Sequence, residues 1–198
     1  MPRIRTPFPN NNTIAAEWDL ISPQRQKAII EKQDKTYEEV IKPLLIKLIP
    51  SKNYSRLLDA GCGTGDMSIL LTKYAEFVEG IDISSRSIET AKKINYSQNI
   101  EYFNFSIEDY GSMKPNCFDV VVASMVLMDA PNLPSIINSI YKCLRDDGIC
   151  CITLLHPAFW YLHRDMKRDY LSEFHDMQEI KIETSAKKIL SIVIFIGL

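Results

Sequence analysis

The sequence is short of residues that build many common sites, with seven glycines, three histidines and two tryptophans in 198 positions. Average usage of about 7% would give roughly twice as many glycines. No C-x-x-C pair occurs, and the five cysteines, Cys62, Cys117, Cys143, Cys150 and Cys151, are an odd number. That pattern offers neither a disulfide framework nor a zinc site, and no metal is expected. Cys150 and Cys151 adjoin in an apolar run, where they would face opposite sides of a strand as small buried hydrophobes. No basic block is longer than a pair, and 23 Lys plus Arg stand against 25 Asp plus Glu. Without a positive field, nucleic acid is not expected as an obligate partner, although a small structured RNA stays open. The longest apolar run, 189–198, is about half of what a bilayer-spanning helix needs. Residues 1–12 lack the apolar core of a signal peptide and carry three prolines in their first nine positions, so they read as a loose, uncleaved tail. A soluble, cytoplasmic protein is the expectation.

What is present has a regular order. One domain is expected at this length. Ser22-Pro23 offers a helix N-cap followed by proline at the first helical position, and Thr36 with Glu39 offers a capping box, so two helices are predicted before residue 50. The second carries Val40, Ile41, Leu44, Leu45, Leu48 and Ile49 on one face, has Pro43 as a kink or late start, and stops at Pro50. Beyond it, short apolar runs at 56–60, 77–83, 100–105, 118–124 and 148–155 read as strands. Helical spacing appears at 66–74, 85–93 and 133–144, with a loop or short turn at 109–116. Apolar strands separated by helices imply βαβ units and a parallel sheet covered on both faces. Two further strands, 180–183 and 189–196, are predicted around a turn at 184–188.

Three of the seven glycines, Gly61, Gly63 and Gly65, fall within five positions, between the first strand and the helix predicted from residue 66. Such a turn lies at the carboxyl edge of a parallel sheet, where open α/β folds bind ligands. Glycines there allow positive φ and close approach to the backbone, and N–H groups at the helix start can receive an anion. The spacing is not the G-x-G-x-x-G of a dinucleotide site. Asp82, at the end of the second strand, stands where a carboxylate can accept from both hydroxyls of a ribose, or serve as an ordinary strand-end acid.

These residues resemble the class I S-adenosylmethionine-dependent methyltransferases, in particular the small-molecule group similar to the quinone-biosynthesis enzymes, over about residues 36–159. Five features carry the resemblance in order: Leu57-Leu-Asp-Ala-Gly-Cys-Gly-Thr-Gly65, Asp82, Phe105-Ser-Ile-Glu-Asp109, Phe118-Asp-Val-Val-Val-Ala-Ser124 and Leu144-Arg-Asp-Asp-Gly-Ile149. The resemblance implies an α/β, Rossmann-like, doubly wound and mostly parallel sheet with helices on both faces. It divides the chain into a tail and helical cap at 1–50, a cofactor-binding core at 51–155 and an acceptor-side segment at 156–198. S-adenosyl-L-methionine is the implied cofactor. Asp59, Gly61 and Gly63 would surround its methionine moiety, with Gly65 at the helix entry. Asp82 would hold the ribose, Ile83 would pack on the adenine, Ile107 would offer it a backbone N–H, and Ser124 would lie beside the sulfonium. Two departures stand out. Relatives often have an acid where Ser106 stands, so either Ser106 or Glu108 would receive the adenine amino group. The usual Pro-Gly-Gly before the fifth strand is Asp146-Asp147-Gly148.

The implied reaction is methyl transfer by in-line displacement to a small, largely apolar or aromatic metabolite. His156, following directly on the fifth strand, is the candidate general base, or else a histidine that shapes its own loop. Trp18, Phe159, Trp160 and Tyr161 would wall the acceptor pocket or belong to the core, and Asp129 would cap a loop or touch the acceptor. His163 and His175 read as part of a solvated polar face. An aminopropyltransferase would need more acid than Asp129 after the fourth strand, and a nicotinamide enzyme is disfavoured by the glycine spacing. The remaining rival is a non-catalytic scaffold or truncated relative. The family commonly adds a helix and an antiparallel strand pair after the fifth strand, and 156–198 is a short stretch for them. An incomplete C-terminal pair is therefore one expectation.

Overall fold

The apolar runs form parallel strands β1 (Tyr54–Ala60), β2 (Ala75–Asp82), β3 (Ile100–Asn104), β4 (Phe118–Ser124) and β5 (Leu144–Leu155). The computed structural model describes residues 10–155, 178–183 and 189–195. It adds β6 (Gln178–Glu183) and β7 (Ile189–Phe195), giving the sheet order β3-β2-β1-β4-β5-β7-β6. Strand β7 pairs parallel with β5, and β6 runs antiparallel to β7. The C-terminal pair is thus formed, which corrects the expectation that it would be incomplete.

Alternation along the strands sends side chains to two cores. Leu57, Val120, Val122 and Cys151 face Leu71, Ile88, Ala91 and the N-terminal helices, whereas Leu58, Val121, Ala123 and Cys150 face Ile107, Ile136 and Ile140. The first layer comprises α2 (Lys42–Leu48), α3 (Asp66–Leu71) and α4 (Ser85–Ile94), and the second comprises α5 (Ile107–Met113) and α6 (Leu133–Cys143). Each large aliphatic side chain buried this way contributes about 1.5–3 kcal/mol. Adjacent Cys150 and Cys151 do face opposite sides, both fully buried. Beneath the second layer, buried Glu79 of β2 is bound by Arg56 of β1 and by the hydroxyl of Tyr110 on α5, with Lys114 Nζ at 3.6 Å. A charge so deep is tolerable only with such partners.

Four elements depart from the pattern read in the sequence. Helix α1 (Asn11–Ile30) starts well before Ser22 and runs through Pro23, because Asn10 and Thr13 form a reciprocal capping box that starts it earlier. Residues 10–12 are therefore cap and helix rather than tail, and 13–21 continue the helix. Next, the N-cap expected of Thr36 belongs to Asp34, whose Oδ1 accepts from the Tyr37 N–H at 2.9 Å and whose Oδ2 binds Arg25 of α1. A π-helical turn, Tyr37–Ile41, then leads into α2 just before Pro43, which has no N–H to offer a regular α-helical ladder. Finally, 107–113 is a helix rather than a loop, capped by Ser106. Strand β5 also begins four residues earlier than expected. The turn at Asp146-Asp147-Gly148 survives as an irregularity inside β5, where the register jumps from Phe118 opposite Leu144 to Val120 opposite Ile149 and Asp147 adopts φ 63°.

Candidate functional site

Strand β1 has β2 on one side and β4 on the other, so the chain order reverses between β1 and β4, and a crevice opens at their carboxyl ends. The glycine loop follows β1 there. Gly61, Gly63 and Gly65 all have positive φ (80°, 54° and 84°). Two of them also leave room for neighbours. A Cβ on Gly61 would meet Val126 Cγ2 at 2.3 Å, and one on Gly65 would meet the Tyr102 hydroxyl at 2.5 Å. Nothing lies within 4 Å of the corresponding position on Gly63. Gly63 alone therefore turns its bare face to open space, while Gly61, expected to face a ligand, is bare to admit the side chain that follows β4.

Four N–H groups of the loop are spent internally. Those of Gly61 and Cys62 donate to the Ile81 carbonyl (2.7 and 2.9 Å), that of Gly65 to Cys62, and that of Gly63 to Asp82 Oδ2 at 2.8 Å. These four N–H groups are thus taken, whereas α3 itself starts at Asp66, one residue further on. Asp82 takes a second N–H, from Ser84, at 2.8 Å on its other oxygen. Each carboxylate oxygen has two acceptor sites, so Asp82 retains capacity for two hydroxyls. Burial raises its pKa against those two N–H bonds, and the negative charge of Asp19 pushes the same way.

Asp59 is buried at the end of β1 and accepts from the Ser68 hydroxyl. Burial pushes its carboxyl up to about 7; the Ser68 bond opposes the shift, and Asp82 and Asp66 reinforce it. Buried Cys62, beside these acids, has its thiol pushed well up and is an inert filler. The Tyr37 hydroxyl is buried without a hydrogen-bond partner among the described residues. Its pKa is raised by burial first and then by the charges of Asp66 and Asp59.

An opening of about 390 Å³ lies beside Asp82, between α1 and the ends of β2 and β3. Ile83, Asn104, Phe105, Ser106 and Asp109 line one side of it, and Asn11, Asn12, Ala15 and Asp19 of α1 line the other. Asn104 fixes the turn after β2 by donating to the carbonyls of Asp82 and Ile83, both at 2.9 Å. The Ser106 hydroxyl caps α5, accepting from the Asp109 N–H at 3.1 Å and donating to Asp109 Oδ2 at 2.7 Å. Ile107 starts that helix with its side chain in the core. Opposite Asp19, the acid that the β3–α5 side contributes to this opening is Asp109, and Glu108 is not among its lining residues. Asp109 was overlooked because 109–116 read as a loop; the Ser-x-x-Asp spacing of a capped helix was the available signal.

Helix α1 is clasped over this edge by Asp19, whose Oδ1 accepts from the Ser84 hydroxyl (2.6 Å) and the Arg86 N–H (3.1 Å) at the start of α4. Its first turn also borders a second opening of about 470 Å³, next to Pro131. Trp18 is half-buried on the inward stripe shared with Ile14 and Ser22, and lines neither opening. At the end of β4, Ser124 Oγ lies 2.9 Å from Thr153 Oγ1 of β5, and Met125 takes a left-handed φ of 58° before Val126 enters the space at Gly61. Asp129 closes the 3-10 turn Leu127–Asp129, its N–H on the Val126 carbonyl. It too is absent from the linings of both openings. His156, Phe159, Trp160 and Tyr161, together with His163 and His175, lie outside the described residues.

Comparison with known proteins agrees with this geometry. A family model described as a methyltransferase domain matches residues 51–191. Among curated proteins, the chain is 32% identical over 124 residues to a ubiquinone biosynthesis O-methyltransferase of Neisseria meningitidis, covering 60% of this chain and 52% of that protein. It is also 32% identical over 121 residues to thiocyanate methyltransferase 1 of Brassica oleracea, covering 58% and 53%. The chain spans about half the length of these relatives. Among solved structures, phosphoethanolamine N-methyltransferase 1 of Haemonchus contortus shares the fold, with a TM-score of 0.60 at 19% identity over 70% of this chain and 30% of that one.

Proposed function

Because this chain belongs to the methyltransferase domain family, we propose that it moves a methyl group from S-adenosyl-L-methionine to a small, largely apolar or aromatic metabolite. The observation that carries this reading is Asp82, bonded to the Gly63 N–H at the reversal point of the sheet with acceptor capacity to spare beside the Ile83–Ser106 opening. The residues present suit such a cofactor. Gly63 leaves its approach open, and the carboxyls of Asp59 and Asp66 offer acceptor oxygens for an ammonium group. The N–H groups of Gly61, Cys62, Gly63 and Gly65 are spent, so an amino-acid carboxylate would draw on other donors, such as the N–H groups at the start of α3 or the Tyr37 hydroxyl, which has no partner among the described residues.

The bound cofactor supplies an electrophilic methyl carbon with a neutral leaving group. The chain's task is to hold an acceptor about 3–3.5 Å from that carbon and in line with it. In this reading Asp82 positions the ribose, and the Ser124–Val126 turn borders the reacting end. The relatives' names place their transfers on oxygen and on thiocyanate, and we take a hydroxyl oxygen as the first candidate acceptor here. Such an acceptor gains about 10²- to 10⁴-fold from a general base. His156, one residue beyond β5, is the residue proposed for that role.

A thermal-shift series with S-adenosylmethionine, S-adenosylhomocysteine and NAD tests the reading. Stabilisation by both sulfur ligands, lost in Asp82→Ala, is expected, and stabilisation by NAD alone would overturn it. Transfer of labelled methyl to small-molecule extracts, compared between wild type and His156→Ala, then separates catalysis from binding. Tight cofactor binding with no transfer would favour the scaffold reading.

A further inference from the structure

Building on the cofactor reading above, we propose that Asn95, set in place by Tyr102, is a positioning residue that holds the glycine loop in its binding shape. Neither residue lines an opening, so both act through the loop. The loop needs such a hold. Glycine loses more conformational freedom on ordering than any other residue, and three of the loop's five positions are glycines in the left-handed region. Four of its N–H groups tie it to the end of β2 and to itself. Thr64, between Gly63 and Gly65, is tied from another direction: its carbonyl accepts from Asn95 Nδ2 at 2.8 Å.

Asn95 ends α4, with its own N–H on the Ala91 carbonyl, and its carbonyl accepts from the Tyr102 hydroxyl at 2.9 Å. Two glycines make room for that tyrosine. Its register partner on β2 is Gly80, where a Cβ would come within 2.6 Å of the ring carbon Cδ1, and a Cβ on Gly65 would meet the hydroxyl. The ring therefore crosses bare backbone on β2 and delivers its hydroxyl, buried, beside the loop. Burial pushes the pKa of that hydroxyl well up, so it stays a donor. Its one proton goes to Asn95, since the Gly65 carbonyl, at 3.5 Å, is at the limit of a hydrogen bond. Tyr102, Asn95 and Thr64 thus link edge strand β3, through the end of α4, to the loop. Without this tether the loop populates other arrangements, and cofactor affinity falls in proportion to the fraction that stays competent.

Isothermal titration of the full chain with S-adenosylhomocysteine, well below the melting temperature of every variant, tests this. Asn95→Ala and Tyr102→Phe, which keeps the ring, should each weaken binding about three- to tenfold, the range of one neutral hydrogen bond. The double variant should stay within about twofold of the weaker single one, because both changes remove one tether. Asn99 supplies the control. Its side chain bonds the Thr72 and Ala75 carbonyls between α3 and β2 instead of the glycine loop, so Asn99→Ala should leave the affinity unchanged. A purely structural role would lower the melting temperatures of Asn95→Ala and Tyr102→Phe without moving their affinities, and that result overturns the proposal. Losses that multiply in the double variant, or an equal loss in Asn99→Ala, also overturn it. Failure of wild type to bind the ligand at all would instead refute the cofactor reading on which the proposal rests.

Discussion

Asp59 shows how a single position at the end of a strand acquires chemistry from its surroundings. Its carboxyl, pushed up to about 7 by burial, holds its proton in the folded chain at pH values where the unfolded chain has lost it. The folded state thus binds more protons between about pH 4 and 7, and the stability contributed by this group falls as pH rises through that window. A shift of this size corresponds to roughly 4 kcal/mol once both states are ionised. Asp59→Asn keeps a partner for Ser68 and removes the charge. It should raise the melting temperature at pH 8, by about 2–4 °C for each kcal/mol recovered, and change it little at pH 4. Melting curves of both proteins across this range check the sign; equal curves at pH 8 would mean Asp59 carries no such penalty. The acid at this position was legible in the sequence, but its protonation was not, because that depends on the neighbours Ser68, Asp82 and Asp66 that only folding collects.

At the scale of elements, α1 is the part the sequence described least well. Ser22-Pro23 looks like a helix start, and local propensity supports that; what extends the helix to Asn11 is the Asn10–Thr13 cap and the docking of its inward stripe. Asp19 adds a bond between elements more than sixty residues apart in sequence, capping α4 from outside. Asp19→Ala should cost about 1 kcal/mol, the typical worth of a helix cap. Hydrogen exchange should then speed up across α1 amides while those of β1 and β4 keep their protection, since weakened docking opens α1 without opening the sheet. Unchanged α1 exchange would show that other contacts hold the helix. Helix α5 was misread for a related reason. Gly111 looks like a breaker, yet a Cβ there would come within 2.7 Å of the Ser139 carbonyl, so the glycine allows α5 and α6 to pack closely.

For the molecule as a whole, the decisive feature is a seven-stranded sheet whose two C-terminal strands cover the edge of β5. A chain ended before Gln178 would leave β5 with unpaired N–H and C=O groups along an apolar strand, a template for pairing with other chains. It should elute as larger, concentration-dependent species in size-exclusion chromatography, and elution at the position of the full chain would contradict this. Among the described residues no helix is long and apolar enough to cross a membrane. The sequence by itself determined the strands, their burial on both faces and the glycine loop with Asp59 and Asp82, because periodicity and turn chemistry are local. Tertiary structure decided that Gly61 is bare for Val126, that four of the loop's N–H groups are spent, and that Asp109 faces the opening under α1. Each of those outcomes depends on which atoms meet across strands and helices distant in the chain, and no local pattern records such meetings.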